Sequence, residues 1–297
     1  MDRKKLLMIV NPKAGKMRVK SHIIDIINRF CSVGYGVTVE TTQCAGDAVR
    51  IASGVTAEYD RVVCCGGDGT LNETISGMLK SGYNIPIGYI PCGTTNDMAV
   101  SLGLPKTVMK AADVVLEGSP MPHDIGQIDA DRYFTYITAF GIFTHASYAT
   151  SQALKNKFGH LAYVLDGAKE LFGNMKKYRT RVIIDGECFE DDYIYGSVSN
   201  SISFAGLFKF PEERINLADG KFEVLLIKKP TNPKALTDLY FSLKKRRFND
   251  KNILFKSASS VSFETDEKLT WTIDGECGSE TNSINIENLK GKVSIIR

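Results

Sequence analysis

The hydrophobic pattern divides the chain into two parts. In the first part, short continuous apolar runs, such as 6–10 and 85–90, alternate with segments of helical spacing such as 19–30. This alternation predicts βαβ units around a parallel sheet. In the second part, many short strand-like segments separated by turn residues, among them 133–139, 261–264 and 269–273, predict a mostly antiparallel β-sandwich or barrel.

The boundary between the two parts is predicted near Pro122. We therefore expect an α/β domain over 1–122 and a β-rich domain over 123–297, because 297 residues are many for one compact core. The last predicted strand, 292–296, could return to the first domain. Within the second part, segment 158–176 has a clear helical pattern, and Pro233 suits the start of another helix.

Composition excludes several classes of function. Hydrophobic residues make up 43% and charged residues 24%, as in ordinary globular proteins, and the net charge of +3 is too small to indicate nucleic-acid binding. The seven cysteines form no repeated Cys-x-x-Cys, which favours reduced packing residues and a cytoplasmic location. No apolar run is long enough to span a bilayer, so we expect any membrane contact to be peripheral.

The most informative stretch is a glycine turn between a predicted strand and a predicted helix. Gly66, Gly67 and Gly69 surround Asp68 directly after the apolar run 62–65. This geometry lets backbone N–H groups approach a phosphate, and a carboxylate beside phosphates implies an intervening divalent cation. The alternative is a tight turn in which the glycines only permit positive φ, and a short motif does not decide between the two.

Two further polar loops follow predicted strands. They cover residues 11–16 and 91–97. Because the carboxyl ends of parallel strands share one edge of a sheet, we expect these loops to lie beside the turn at 66–70. Three such loops at one edge predict a nucleotide or phosphate site.

The three loops occur in the same order as in the diacylglycerol kinase catalytic-domain family, and the chain resembles this family through residue 105. The family includes bacterial soluble lipid kinases and the sphingosine and ceramide kinases. NAD kinases share only the glycine loop. The resemblance implies a lipid-kinase-like fold that is related to the fold of NAD kinases. It implies ATP and Mg²⁺ as cofactors. It also implies a lipid substrate that binds between the domains, at the inner face of a membrane.

The resemblance also assigns site residues. Residues implied to contact ATP are Asn11, Thr42, Gly67, Asp68, Gly69, Thr70, Leu71, Asn72, Glu73 and Thr94. Those implied to hold the catalytic Mg²⁺, through water, are Asp68, Asp97 and Asp124. Those implied to hold a structural Mg²⁺ are the Asp219 carboxylate and the carbonyls of Asn216 and Lys221, although an Asp-Gly turn before a strand is a common turn in any protein.

The general base is predicted in a late triplet, Asp274-Gly275-Glu276. A lipid hydroxyl becomes a good nucleophile only when a positioned carboxylate accepts its proton. Either Glu276 or Asp274 could do so, and the resemblance favours Glu276. The same triplet occurs earlier at 185–187, and the resemblance favours the later copy.

Substrate and partners remain open at this level. Diacylglycerol is the default acceptor, and the alternatives are a sphingolipid, NAD, or a nucleotide-responsive membrane regulator without turnover. The apolar segment 202–210 could line a lipid cleft or belong to the core. The basic run 244–247 could complement a helix dipole or contact a membrane. Further basic residues of this half that could join it are Lys155, Lys157, Lys176, Lys177, Arg179 and Arg181. A homodimer is conceivable, but no particular strand suggests one.

Overall fold

The computed structural model describes residues 3–142, 144, 175–204, 208–210, 215–248 and 250–297. A 3-10 helix covers Ala14–Ser21. The α-helices are α1 Ile23–Ser32, α2 Asp47–Ser53, α3 Asp68–Ser81, α4 Asp97–Ser101, α5 Val108–Glu117 and α6 Pro233–Lys244. The strands are β1 Lys4–Val10, β2 Tyr35–Thr41, β3 Arg61–Gly66, β4 Ile87–Pro91, β5 Pro120–Ile128, β6 Arg132–Phe134, β7 Ile137–Gly141, β8 Tyr178–Ile184, β9 Glu187–Ser199, β10 Ser203–Phe204, β11 Phe208–Lys209, β12 Phe222–Lys228, β13 Ile253–Ala258, β14 Ser260–Ile273 and β15 Glu276–Ile296.

The chain forms two compact units, and the first is assembled from three segments. Unit 1 contains Met1–Ile125, Leu217–Asp219 and Leu289–Arg297, and unit 2 contains Gly126–Asn216 and Gly220–Asn288. The sequence boundary near Pro122 lies close to the first change of unit. The carboxyl-terminal end of β15 belongs to unit 1, where Ile295 pairs in parallel with Ile87.

The strands of unit 1 end in register. β1 pairs in parallel with β2 and with β3, and β3 pairs in parallel with β4. Val10 lies opposite Thr41 and Cys65, and Gly66 lies opposite Pro91. The residues that follow these positions therefore start from one edge of the sheet, which brings the loops after β1, β2, β3 and β4 together.

The core of unit 1 comes from the apolar runs and helical faces that the sequence displays. Ile26 and Phe30 of α1 are fully buried, as are Leu6 and Met8 of β1. Cys65 and Cys92 belong to the same core. Burial raises the pKa of the neighbouring Cys64 thiol to about 12. Cys64, Cys65 and Cys92 are buried and free of disulfides, as expected of reduced packing residues.

Unit 2 is built from antiparallel strands. The long strands β9 and β14 each pair with β8 along one part and with β7 along another. Among the described strands of this unit, all except the β10–β11 pair belong to one continuous hydrogen-bonded set. The second part is mostly antiparallel, as predicted, and β9 and β14 are long enough to pair with three strands each. Trp271, Phe140 and Phe263 pack edge to face in the core.

Several sequence-predicted elements differ in extent. The strand expected over 133–139 is divided into β6 and β7, and the segments 261–264 and 269–273 form the single strand β14. α6 ends at Lys244, so the basic run 244–247 lies at and beyond its end and is exposed, whereas Leu239 and Leu243 are buried. Most of the predicted helix 158–176 and part of segment 202–210 lie outside the described residues.

Candidate active site

The loops after β1, β3 and β4 touch one another through glycines. A Cβ placed on Gly15 would lie 1.8 Å from the Cys92 carbonyl oxygen. A Cβ on Gly93 would lie 2.6 Å from the Cα of Gly67. Side chains at these positions would force the loops apart, which explains why glycine is required there.

The turn at Gly67 leads directly into α3. Gly67 is the residue that precedes the helix, and Asp68, Gly69 and Thr70 form its first turn. Backbone N–H groups in the first turn of a helix lack partners within the helix, and they carry its partial positive charge. The turn can therefore bind an anion such as a phosphate group.

Asp68 joins the second loop to the third. Its carboxylate accepts hydrogen bonds from the amides of Asp97 at 3.0 Å and Met98 at 3.1 Å, at the start of α4. Burial raises the pKa of this carboxyl, and the two amide hydrogen bonds oppose the increase. Asp68 thus holds the Asp97 backbone beside its own side chain.

Two residues near Asp68 were missed by the sequence interpretation. The hydroxyl of Tyr89, a residue of β4, lies 3.5 Å from Asp68 Oδ1 and 3.4 Å from Asn96 Oδ1. Asn96 accepts from the Gly93 amide at 2.8 Å and donates to the Gly93 carbonyl at 2.9 Å, so its side chain closes the third loop. The only available signal was that a buried tyrosine hydroxyl needs a polar partner.

The first loop is tied to the second by side chains. Asn11 Nδ2 donates to Thr70 Oγ1 at 3.0 Å, and Asn11 Oδ1 accepts from the Lys13 amide at 3.0 Å. Leu71 is fully buried in the core, so its side chain does not line the loops, and its amide donates to the Gly67 carbonyl. Thr94 is exposed in the third loop. Gly69 and Asn72 lie in α3 beside these residues.

Glu73 and Thr42 lie at the loop after β2. Glu73 accepts hydrogen bonds from the amides of Gly46 and Ala48 at the start of α2. Thr42 is buried, and its amide donates to the Val10 carbonyl at 2.9 Å. The implied ATP contacts therefore divide into those in the three meeting loops and those at this fourth loop.

Asp124 lies beside the segment that contains Asp219. The Asp124 amide donates to the Leu217 carbonyl at 2.9 Å, and its buried carboxylate accepts from the Gly291 amide at 2.7 Å. Asp219 is exposed in the turn that follows Leu217, with Asn216 and Lys221 flanking it in the chain. Asp124 therefore anchors the turn that the resemblance assigns to a structural Mg²⁺.

Within the described part of the chain, no three His, Cys, Asp or Glu side chains are grouped closely enough to hold a metal ion directly. Asp68, Asp97 and Asp124 thus do not form a direct three-carboxylate site. Of the three, Asp68 and Asp97 are in direct contact, through the Asp97 amide. Oxygen donors of this kind suit Mg²⁺, which commonly keeps several of its waters and bridges to nucleotide phosphates.

Asp274 is held by the chain between β6 and β7. Its carboxylate accepts from the amide and the hydroxyl of Thr135, each at 2.6 Å, and from the amides of Tyr136 at 2.9 Å and Ile137 at 3.0 Å. Burial raises the pKa of the Asp274 carboxyl. The hydrogen bonds oppose this increase, and the one from the Thr135 hydroxyl has the largest opposing effect. With each oxygen accepting two donors, Asp274 is a structural clamp.

The earlier triplet has the same construction. Asp185 and Gly186 have φ of 46° and 86°, and Asp274 and Gly275 have φ of 48° and 82°. Each pair forms a two-residue hairpin turn with both φ positive, the geometry that Asp-Gly favours. The Asp185 carboxylate accepts from the amide and hydroxyl of Ser259 and from the Ser260 amide. The two triplets therefore share one structural role for their aspartate.

The glutamates of the two triplets are both exposed but differ in their surroundings. Glu276 is the first residue of β15. Glu187, the first residue of β9, forms an ion pair with Lys256. Glu276 is therefore the carboxylate of its triplet that can reach a solvent-borne hydroxyl, and Asp274 fixes the turn before it.

The basic residues before and within β8 have acidic partners. Lys176 pairs with Glu267 at 2.8 Å, Lys177 with Asp192 at 2.5 Å, Arg179 with Glu190 at 2.7 Å and Arg181 with Glu264 at 3.3 Å. These pairs reduce the positive field of this strand, which weakens its case as a membrane patch. Of the helices that the structure describes, none is long and apolar enough to cross a membrane.

Comparisons with known proteins identify the family. The diacylglycerol kinase catalytic domain model matches residues 5–128. Over 278 residues the chain is 33% identical to a diacylglycerol kinase of Bacillus subtilis (strain 168), covering 93% of this chain and 90% of that protein. It is 30% identical to a diacylglycerol kinase of Staphylococcus carnosus (strain TM300) over 295 residues, covering 99% and 95%.

Solved structures show the same fold. A crystal structure of a protein from Bacillus anthracis str. Sterne, assigned as a diacylglycerol kinase, has 26% sequence identity and a TM-score of 0.81, covering 100% of this chain and 96% of that one. A second structure from the same organism has 22% identity and a TM-score of 0.76, covering 100% and 97%. The near-complete coverage of curated relatives at 30% identity or more, together with the matched domain, establishes that this chain belongs to the diacylglycerol kinase family and is a lipid kinase.

Proposed function

We propose that this lipid kinase transfers the terminal phosphate of ATP to the hydroxyl of diacylglycerol, giving phosphatidic acid. The observation that carries the proposal is the junction of three loops at Asp68, Gly93 and Gly15, next to the first turn of α3. Amides of that turn would bind the phosphates of ATP. The similarity to relatives that are diacylglycerol kinases supports diacylglycerol as the acceptor.

Mg²⁺ would accompany the nucleotide and neutralise the charge that develops on the transferred phosphoryl group. Asp68, Asp97 and Asp124 would hold it through water molecules. A second, structural Mg²⁺ would be bound by Asp219 and the carbonyls of Asn216 and Lys221. Oxygen ligands such as the exposed Asp219 carboxylate and backbone carbonyls suit such an ion.

Glu276 would be the general base that accepts the proton of the lipid hydroxyl. Its exposed carboxylate follows a turn fixed by Asp274, whose own oxygens are occupied by four donors. A base must reach the proton that it removes, and a fully buried carboxylate saturated with hydrogen bonds cannot. This geometry supports Glu276 over Asp274 as the catalytic residue.

Rival acceptors are sphingolipids and NAD. Family membership favours a lipid kinase over an NAD kinase and over a regulator without turnover. A lipid acceptor requires the enzyme to work at a membrane surface, so we propose peripheral association with the inner face of the membrane. The exposed run 244–247 would contribute about 1 kcal/mol per basic residue near anionic lipid.

A lipid panel tests the proposal. Purified protein is incubated with radiolabelled ATP and mixed micelles that contain diacylglycerol, ceramide, sphingosine or no lipid, with Mg²⁺ or with EDTA, and NAD is tested in parallel. We expect label in phosphatidic acid with diacylglycerol and Mg²⁺ only. Labelling of a sphingolipid or of NAD instead of diacylglycerol would overturn the proposed acceptor. Undiminished labelling in EDTA would overturn the proposed metal requirement.

A further inference from the structure

Glu73 caps a helix other than its own. Its Oε1 accepts a hydrogen bond from the Gly46 amide at 2.8 Å, and its Oε2 accepts from the Ala48 amide at 3.2 Å. These amides are at the start of α2, whereas Glu73 belongs to α3. Gly46 has a φ of 85°, a conformation that favours glycine. The carboxylate therefore satisfies donors that α2 leaves without partners within the helix.

A second contact, one helical turn further along α3, fixes α2 against it. A Cβ on Gly77 would lie 2.5 Å from the Val49 carbonyl oxygen and 2.6 Å from the Cβ of Ala52. Residues 73 and 77 lie on the same face of α3, because residues four apart are neighbours on a helix. The cap and the close approach together determine where α2 begins.

The loop between β2 and α2 is held at both ends. Asp47 Oδ2 accepts hydrogen bonds from the amides of Gln43 at 2.7 Å and Cys44 at 3.2 Å. These hydrogen bonds lower the pKa of the Asp47 carboxyl, and the one from Gln43 has the largest effect. The Thr42 amide is bound to the Val10 carbonyl at the end of β1. Glu73 is thus the connection between this loop and the helix that starts at the glycine turn.

We propose that Glu73 is a positioning residue, which supports ATP binding by holding loop 42–47 in place and not by touching the nucleotide. The inference rests on the proposed function and changes the role that the family resemblance implies for Glu73. A carboxylate repels phosphate, and both of its oxygens are engaged by Gly46 and Ala48. The same engagement occupies two amides at the start of α2, which are therefore not available to a phosphate.

The test compares Glu73→Gln with Glu58→Gln, which removes a charge from an exposed ion pair with Lys5 in the same unit. Four quantities are measured: hydrogen exchange of the Gly46 and Ala48 amides without nucleotide, the KM for ATP, kcat, and the Mg²⁺ concentration for half-maximal rate. For Glu73→Gln we expect faster exchange at both amides, a KM for ATP raised about five- to tenfold, and kcat and Mg²⁺ dependence unchanged. For Glu58→Gln we expect no change.

Other outcomes are equally decisive. If Glu73 contacted the metal–nucleotide complex, its replacement would change kcat or the Mg²⁺ dependence without altering amide exchange, and the inference would be wrong. Glu73→Asp, which keeps the charge but withdraws the carboxylate, serves if Glu73→Gln does not fold, and should likewise release the two amides and raise KM. Wild-type protein that uses no ATP would contradict the proposed function, whereas amide exchange would still test the cap.

Discussion

The carboxylate of Asp274 accepts both the backbone amide and the side-chain hydroxyl of Thr135, each at 2.6 Å. Thr135 lies in the short break between β6 and β7, so one acidic side chain fixes the point where β7 starts. The Asp274 amide also donates to the Ile137 carbonyl at 2.8 Å. The turn that presents Glu276 is therefore anchored to a segment far away in sequence.

We expect Asp274→Asn to destabilise the protein more than Asp185→Asn. The NH₂ group of asparagine is itself a donor, so it cannot accept hydrogen bonds from the donors that face it at position 274. Each unsatisfied buried donor costs about 1–3 kcal/mol of unfolding free energy. Asp185 accepts a similar set of hydrogen bonds but is exposed, so water can replace its lost partners. Urea unfolding of both variants measures the difference, and equal losses of unfolding free energy would contradict the clamp.

The two Asp-Gly-Glu triplets show what sequence can and cannot predict. Both predict a tight turn, and both form one with the same backbone geometry. The burial of the Asp274 carboxylate was not predictable, because it depends on Thr135, which pattern and spacing do not connect to the triplet. The clamp arises only when the chain between β6 and β7 packs against β14.

The loops at the edge of unit 1 were more predictable. Continuous apolar strands followed by glycine and polar residues determine both the strands and the edge where the loops meet. The contacts of Tyr89 with Asp68 and Asn96, and of Glu73 with the start of α2, were not predictable. Each depends on which neighbouring element packs against that side of the strand or helix. In the second half, strand lengths were underestimated because the polar residues at 265–268 interrupt the pattern of β14 without interrupting the strand.

Gly93→Ala should separate two of the three loops. The new Cβ would lie 2.6 Å from the Gly67 Cα and 2.7 Å from Asn96 Oδ1, distances that require the backbone to move. We expect ATP affinity to fall about tenfold or more, measured by calorimetric titration with a non-hydrolysable ATP analogue. Gly36→Ala is the matched control, because the nearest atom to its new Cβ would be 3.6 Å away, an ordinary van der Waals distance. Unchanged ATP affinity of Gly93→Ala would argue against the junction as the nucleotide site.

Tyr89→Phe should have only a small effect. The hydroxyl is 3.5 Å from Asp68 and 3.4 Å from Asn96, long for hydrogen bonds, and Asp68 keeps its two amide donors. We expect a loss of unfolding free energy below about 1 kcal/mol and a KM for ATP within about threefold of wild type. A much larger rise in KM would mean that the hydroxyl orients Asp68 more strongly than these distances indicate.

The Asp185 clamp should show a defined pH dependence. Partial burial raises the pKa of the Asp185 carboxyl, but hydrogen bonds from Ser260 and Ser259 outweigh it, so its pKa lies below the ordinary value. The stabilisation is therefore present above about pH 4, the range of an unfolded aspartate, and is lost as the pH falls through the folded-state pKa. The difference in unfolding free energy between wild type and Asp185→Asn should shrink between about pH 6 and pH 3. A constant difference would show that ionisation of Asp185 is not involved.

The rate of label transfer from radiolabelled ATP to diacylglycerol in wild type, Glu276→Gln and Glu187→Gln tests the central claim most directly. Glu187 is the equivalent residue of the other triplet and pairs with Lys256 at the surface. We expect wild type and Glu187→Gln to form phosphatidic acid at similar rates, and Glu276→Gln to be slower by about a hundredfold or more, with an unchanged KM for ATP. A wild-type enzyme that labels no diacylglycerol, or a Glu276→Gln variant that keeps the full rate, would contradict the account.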